Sequence, residues 1–202
     1  MNAQLEAEEL KELAPVGHYL ALRIGFAFPL EEVNALPDTW VEHYTHNRFL
    51  LSDPVVRWVY AHTGWVRWSD ITEPDPRHIM QQARAFGLTY GVTVCYFDDN
   101  RDGQRSFGSF VRRDREFTDE EAERLLAHIT RLHIQKAPPT NLTQAEIEAL
   151  RMVKEGQRLK QIAHVLGVTE GAVKQRLRNA KMKLGANTSA QAAAMASEFG
   201  LI

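Results

Sequence analysis

The chain has 202 residues, 44% of them apolar, and a formal net charge of −2, enough apolar material for one large or two modest cores. Its single cysteine, Cys95, excludes an intramolecular disulfide. No apolar run approaches membrane-spanning length or matches a signal-peptide plan, so a cytoplasmic protein with no membrane partner is expected.

The residues predict a helix over 2–13 and then an apolar, strand-like stretch from Tyr19 to Phe28. Helices are expected at about 38–49, 54–62 and 76–86, with a tryptophan-rich segment around Trp65 to Ile71 between the last two. Tyr90 to Phe97 and Arg105 to Arg112 are rich in aromatic and β-branched residues and read as the two strands of a hairpin. The turn-forming residues 98–103 join them. Thr118, with Glu121 three residues on, starts a last helix towards His133. Helices flanking a sheet are the economical packing, so residues 1–135 are predicted to form an α/β/α sandwich.

Tandem prolines at 138 and 139 oppose helix continuation, which makes residues 136–141 a short, semi-rigid linker. Residues 142–202 are predicted to be all helical, giving an α+β chain of two domains. Thr143 and Glu146 have the spacing of a capping box, Ile147, Leu150 and Val153 form an apolar stripe, and Gly156 stands where a left-handed glycine ends a helix. Leu159, Ile162, Ala163 and Leu166 make a second short helix, Gly167 offers a tight turn, and Thr169 caps a third helix. In that third helix, from about Glu170 to Leu184, the core stripe is Val173, Leu177, Ala180 and Leu184. A fourth helix, from about Ser189 to Phe199, is rich in small and apolar residues that suit the core or a partner.

Charge is polarised between the two parts. Residues 141–202 carry nine Lys or Arg against five Asp or Glu, a net of +4, whereas residues 1–140 carry 15 against 21, a net of −6. Lys174, Arg178 and Lys181 line one face of the third helix, Arg176 and Lys183 broaden it, and Glu170 is its only acid. Such a face, behind a turn of helix-turn-helix length, suits the phosphates and guanine edges of a major groove; an ordinary solvated face is the plainer alternative. One recognition helix covers few base pairs, so a homodimer on double-stranded DNA with a two-fold-related site is expected.

In the first domain, Trp40 and Tyr44 project from one side of a helix, Asp53-Pro54 comes next, and Trp68 lies beyond. An indole N–H, a phenol and a carboxylate around an apolar pocket could hold a small amphiphile with carbonyls and an amide. Aromatics at helical spacing are commonly core, and Asp before Pro commonly caps a helix, so these residues alone leave both readings open. An enzyme is not expected: His43 and His46 share a helix face, but no cluster completes a metal site, no nucleophile constellation is evident, and Cys95 reads as strand packing. Nor is the acidic cluster of a phosphorylated receiver domain apparent.

These residues resemble the LuxR-type quorum-sensing transcription factors. In the second domain the resemblance rests on Leu142-Thr143, Glu146, Gly156, Ile162-Ala163, Val173-Lys174, Asn179-Ala180, Lys183-Leu184-Gly185 and Gly200-Leu201-Ile202. In the first it rests on Trp40, Tyr44, Asp53-Pro54, Trp68 and Gly108. The resemblance implies an acyl-homoserine lactone as signal ligand, no other cofactor, a DNA-binding helix-turn-helix, and RNA polymerase as a candidate partner. It further implies that Trp40 donates to the lactone carbonyl, Asp53 accepts the ligand amide, Tyr44 donates to the acyl carbonyl and Trp68 walls the pocket. Ala145 departs from the family's usual arginine, and Leu36 and Val111 stand where some relatives have a ligand-facing tyrosine and serine. The chain is also shorter than typical members before Trp40 and between the domains. A ligand-independent regulator or anti-activator is therefore the alternative.

Overall fold

The computed structural model describes residues 3–25, 28–98, 103–137, 139 and 141–202, and divides into two compact units, Met1–Lys136 and Ala137–Ile202. The expected helix start at Asn2, residues 26 and 27 near the end of the expected first strand, the hairpin turn at 99–102, and Pro138 and Thr140 of the linker lie outside the described residues.

The first unit runs α1 (Ala3–Leu13), β1 (Gly17–Ile24), β2 (Pro29–Asn34), α2 (Asp38–His46), α3 (Pro54–Ala61), β3 (Gly64–Arg67), α4 (Ile79–Ala85), β4 (Tyr90–Phe97), β5 (Arg105–Arg112) and α5 (Asp119–Gln135). Its strands form one antiparallel sheet in the order β2-β1-β5-β4-β3. Strand alternation sends successive side chains to opposite faces. Leu20, Leu22, Val92, Val94 and Phe110 meet Leu13 of α1 and Leu125 and Ile129 of α5 on one face. Ala21, Cys95 and Phe107 meet Trp58 and Val59 of α3 on the other, where Val111 packs with Trp40 of α2 and Ile79 and Ala83 of α4. Helices thus cover both faces, as an α/β/α sandwich requires. Burial on both sides is why β4 reads as a nearly unbroken apolar run and why β5 is buried from Ser106 to Arg112 in spite of its serines.

Several boundaries differ from expectation for local reasons. The stretch expected as one strand from Tyr19 ends at Ile24, after which β2 returns as an antiparallel edge strand. Arg23 has φ of 51° where the β1–β5 register shifts, so the chain bulges and bends there. The second helix stops at His46, because Arg48 adopts φ of 53° and Phe49–Leu51 forms a separate 3₁₀ turn. The helix expected from residue 76 starts later: α4 begins at Ile79, where the Asp75 carboxylate accepts the backbone N–H groups of Ile79 at 2.8 Å and Met80 at 2.9 Å. The tryptophan-rich segment contains β3. Thr118 and Glu121 form the expected capping box of α5.

The second unit comprises α6 (Gln144–Lys154), α7 (Leu159–Leu166), α8 (Glu170–Leu184) and α9 (Ser189–Glu198). Ala149, Leu150, Ile162, Ala163, Val173, Leu177, Ala180, Leu184, Ala192, Ala193 and Ala196 make one buried core from all four helices. Gly167 closes α7 at φ of 64°, and Val168 N–H returns to Ala163 O at 3.0 Å, a left-handed cap that a residue with a Cβ resists. Thr169 then accepts Ala172 N–H at 3.2 Å and starts α8 two residues after Gly167. Two capped helices joined by so short a turn make a helix-turn-helix.

Candidate ligand pocket and DNA-facing helix

The four aromatic and acidic residues singled out in the sequence come together. Trp40, Tyr44 and Trp68 belong to one apolar cluster with Phe49, Phe86, Leu36 and Val111. The ring centroids of Trp40 lie 5.6 Å from Tyr44 and 5.5 Å from Phe86. Tyr44 Oη donates to Asp53 Oδ2 at 2.7 Å, bringing the carboxylate to the edge of that cluster. Asp53 also caps α3, accepting Val55 N–H on Oδ1 at 2.8 Å, so the plain capping role and a place in the aromatic site coexist.

This carboxylate is buried, with 8% of its surface exposed. Burial pushes its pKa up, while the bonds from Tyr44 and the α3 amides favour the charged form and oppose the rise. The Tyr44 phenol is likewise raised, by burial first and then by the Asp53 charge, and stays a donor. A carboxylate has about four acceptor sites, so Asp53 retains capacity for a further N–H.

Trp68 lies flat on β4. A Cβ at Gly91 would come within 2.2 Å of its indole, so glycine is what lets the ring approach the strand. Its Nε1 donates to Thr93 Oγ1 at 3.0 Å, and Thr93 Oγ1 lies 2.9 Å from Ser109 Oγ across the β4–β5 ladder. Sequence reasoning missed Thr93 and Ser109. The available signal was strand period: both alternate with Val92, Val94 and Phe110 and so face the Trp40 side of the sheet.

On α8, Val173, Leu177, Ala180 and Leu184 are buried as predicted. Lys174 and Arg178 are exposed, and Arg176 and Lys181 are half-buried. Lys181 Nζ reaches Asn187 O at 3.5 Å. Lys183 departs from the expected basic surface. Its Nζ donates to Glu146 Oε2 at 2.8 Å and to Asn141 O at 2.8 Å, joining the end of α8 to the capping box of α6. Burial would raise the Glu146 pKa, but Lys183 and the Thr143 amide outweigh it and hold it low. The charge of Lys183 is therefore spent inside the unit.

Among the described residues there is no group of three His, Cys, Asp or Glu arranged to hold a metal, and no helix long and apolar enough to cross a membrane. Residues 31–135 match the autoinducer binding domain, and residues 140–196 match the luxR family of bacterial regulatory proteins.

The chain belongs to the luxR family. This luxR-family chain is a DNA-binding transcriptional regulator with an autoinducer-binding domain, and its family is one of regulators rather than enzymes. It is 31% identical over 178 residues to the regulatory protein SdiA of Escherichia coli (strain K12), covering 82% of this chain and 74% of that protein. It is 30% identical over 181 residues to the transcriptional activator protein VanR of Vibrio anguillarum, covering 82% and 75%. The crystal structure of Escherichia coli SdiA matches with a TM-score of 0.54 at 26% identity, over 100% of this chain and 92% of that one. A structure of SdiA in complex with octanoyl-rac-glycerol matches with a TM-score of 0.53 at 25% identity, over 100% and 90%.

Proposed function

We propose that this regulator senses an acyl-homoserine lactone, or an amphiphile of the same build, in residues 1–135 and reads a two-fold-related DNA site as a homodimer through residues 142–202, with 136–141 as linker. It acts in the cytoplasm, with RNA polymerase as a further partner. The observation that carries the ligand reading is the buried Asp53 carboxylate, held by Tyr44 at the edge of the Trp40–Trp68 cluster with acceptor capacity remaining. Trp40 would donate to the lactone carbonyl, Asp53 would accept the amide N–H, and Tyr44 would turn its single O–H from Asp53 to the acyl carbonyl as the ligand amide takes its place on the carboxylate. Trp68, Leu36 and Val111 supply apolar wall. That the related SdiA is known with an octanoyl glycerol supports a site for a polar head on a medium acyl chain.

Calorimetry with a series of acyl-homoserine lactones tests this. Saturable binding is expected, together with a raised melting temperature. Asp53→Asn keeps the acceptor for Val55 N–H but loses charge, so affinity should fall by about 1.5–3 kcal/mol, the range for hydrogen bonds to charged groups. The melting temperature of the ligand-free variant should not fall, since burial already disfavours the charge. Folded protein that gives neither heat nor stabilisation with any lactone would instead support a ligand-independent regulator or anti-activator. One observation favours that second reading: the single O–H of Tyr44 is already taken by Asp53, and Leu36 and Val111 offer no polar atom of their own side chains.

A further inference from the structure

We propose that Ser109 reads an oxygen substituent on the acyl chain of the ligand, as the last donor of a buried relay that runs from Trp68 through Thr93. The inference rests on the lactone reading above and deepens it. Thr93 and Ser109 are directly paired in the β4–β5 register, and Trp68 Nε1 donates to the Thr93 hydroxyl. Two hydroxyls carry two hydrogens. One is used in the 2.9 Å bond between them, and the other has no acceptor among the described residues. Either hydroxyl could donate in that pair, but Thr93 is fully buried, so the arrangement that strands no hydrogen there has Thr93 accept the indole N–H and donate to Ser109. Ser109 retains 6% exposure, and its O–H is the one left undirected. Each bond in such a chain polarises the next, which makes that O–H a better donor.

The position suits a chain-reading role. On the same face of β5, Ser109 alternates with Val111, which packs in the cluster around Trp40, and with Phe107, which packs with Trp58 and Val59. Its hydroxyl therefore sits between two apolar clusters. An acyl tail whose polar head is held at Trp40 and Asp53, and which lies across this face of the sheet, passes over it. A methylene placed there leaves the buried O–H unpaired, whereas a keto oxygen accepts it. Cross-strand hydroxyl pairs also stabilise sheets, so a purely structural role is the reading to be separated.

Affinities of the full chain for N-octanoyl-homoserine lactone and for its 3-oxo counterpart, measured by calorimetry beside melting temperatures, make that separation. The unmodified protein should prefer the 3-oxo compound about five- to tenfold, the scale of one hydrogen bond. Ser109→Ala should erase the preference by weakening only the 3-oxo compound. Ser109→Thr, which keeps a hydroxyl, should retain it, and Thr93→Val, which breaks the relay, should reduce it. A structural role would weaken both compounds together and lower the melting temperature with the ratio unchanged. That result, or equal affinities for the two compounds in the unmodified protein, overturns the proposal and leaves the lactone reading standing. Binding of neither compound overturns both.

Discussion

Lys174 and Lys183 lie on the same helix, nine residues apart, and have opposite fates. Lys174 is exposed and makes no ion pair among the described residues, whereas Lys183 is held by Glu146 and Asn141. Charge on a helix face becomes available to DNA only where the fold does not consume it. Replacing Lys174 or Arg178 by Ala is accordingly expected to cost about 1–3 kcal/mol at the preferred DNA site and to relax base preference, without lowering the melting temperature. Lys183→Met should do the reverse. It leaves the buried Glu146 carboxylate with fewer partners, so stability should fall by about 1–3 kcal/mol while base preference persists. Binding-site selection paired with thermal melts checks both, and a Lys174→Ala protein with unchanged base preference would refute the assignment.

At the scale of elements, α5 is tied to the sheet by a polar cluster that no sequence pattern announces. His133, near the end of α5, has its Nδ1 2.7 Å from Ser106 Oγ and its Nε2 2.8 Å from Asp98 Oδ2, with the Tyr96 ring 4.8 Å away. Arg23, left-handed in the β1 bulge, donates to His133 O at 2.9 Å, to Gln104 Oε1 at 2.6 Å and to Asp98 Oδ2 at 3.2 Å. Burial lowers the His133 pKa; Asp98 opposes the shift, and the Arg23 cation adds to it. A histidine lowered in the fold takes up its proton more readily when unfolded, so its contribution to stability is complete above the ordinary value of 6.5 and is lost as pH falls below it. His18, also lowered by burial and by His128, acts in the same direction. Melting temperature should therefore drop between about pH 7 and 5.5, before the carboxylates titrate, and His133→Gln should show a shallower drop. An unchanged slope in that variant would show that His133 takes up its proton alike in the folded and unfolded states.

For the whole molecule, the residues proposed to hold the lactone and the helix proposed to read DNA belong to different units, so any effect of ligand on DNA binding is a coupling free energy. A ligand shifts DNA affinity only by as much as it binds the DNA-competent state more tightly, and the coupling is reciprocal. If lactone favours the competent dimer, DNA affinity should rise with lactone, lactone affinity should rise by the same factor with DNA, and Asp53→Asn should move the ligand-dependent part to higher lactone while leaving DNA affinity without ligand unchanged. Gel-shift titrations at saturating and zero lactone measure this. Identical DNA affinity in both, with the protein dimeric throughout, would exclude a ligand-gated regulator.

The helix-turn-helix was legible in the sequence because its signals are local: capping boxes, left-handed glycines and a period of about 3.6 lie within a few residues of the contacts they predict. Thr143, Gly167 and Val173 do in the structure what their spacing predicted. The hairpin of β4 and β5 was legible for the same reason. The edge strand β2 was not, because an edge buries only part of one face and its Glu31 and Glu32 are exposed, which blurs the apolar alternation. Trp40, Tyr44, Asp53 and Trp68 could be nominated from spacing and family resemblance, but their convergence depends on helices and strands packing across a sheet. That packing alone decided that Tyr44 bonds to Asp53, that Trp68 lies on Gly91 and reaches Thr93, and that Lys183 turns inward to Glu146. Each of these contacts joins residues 9 to 37 positions apart, and at such separations local propensity carries no information about which side chains meet.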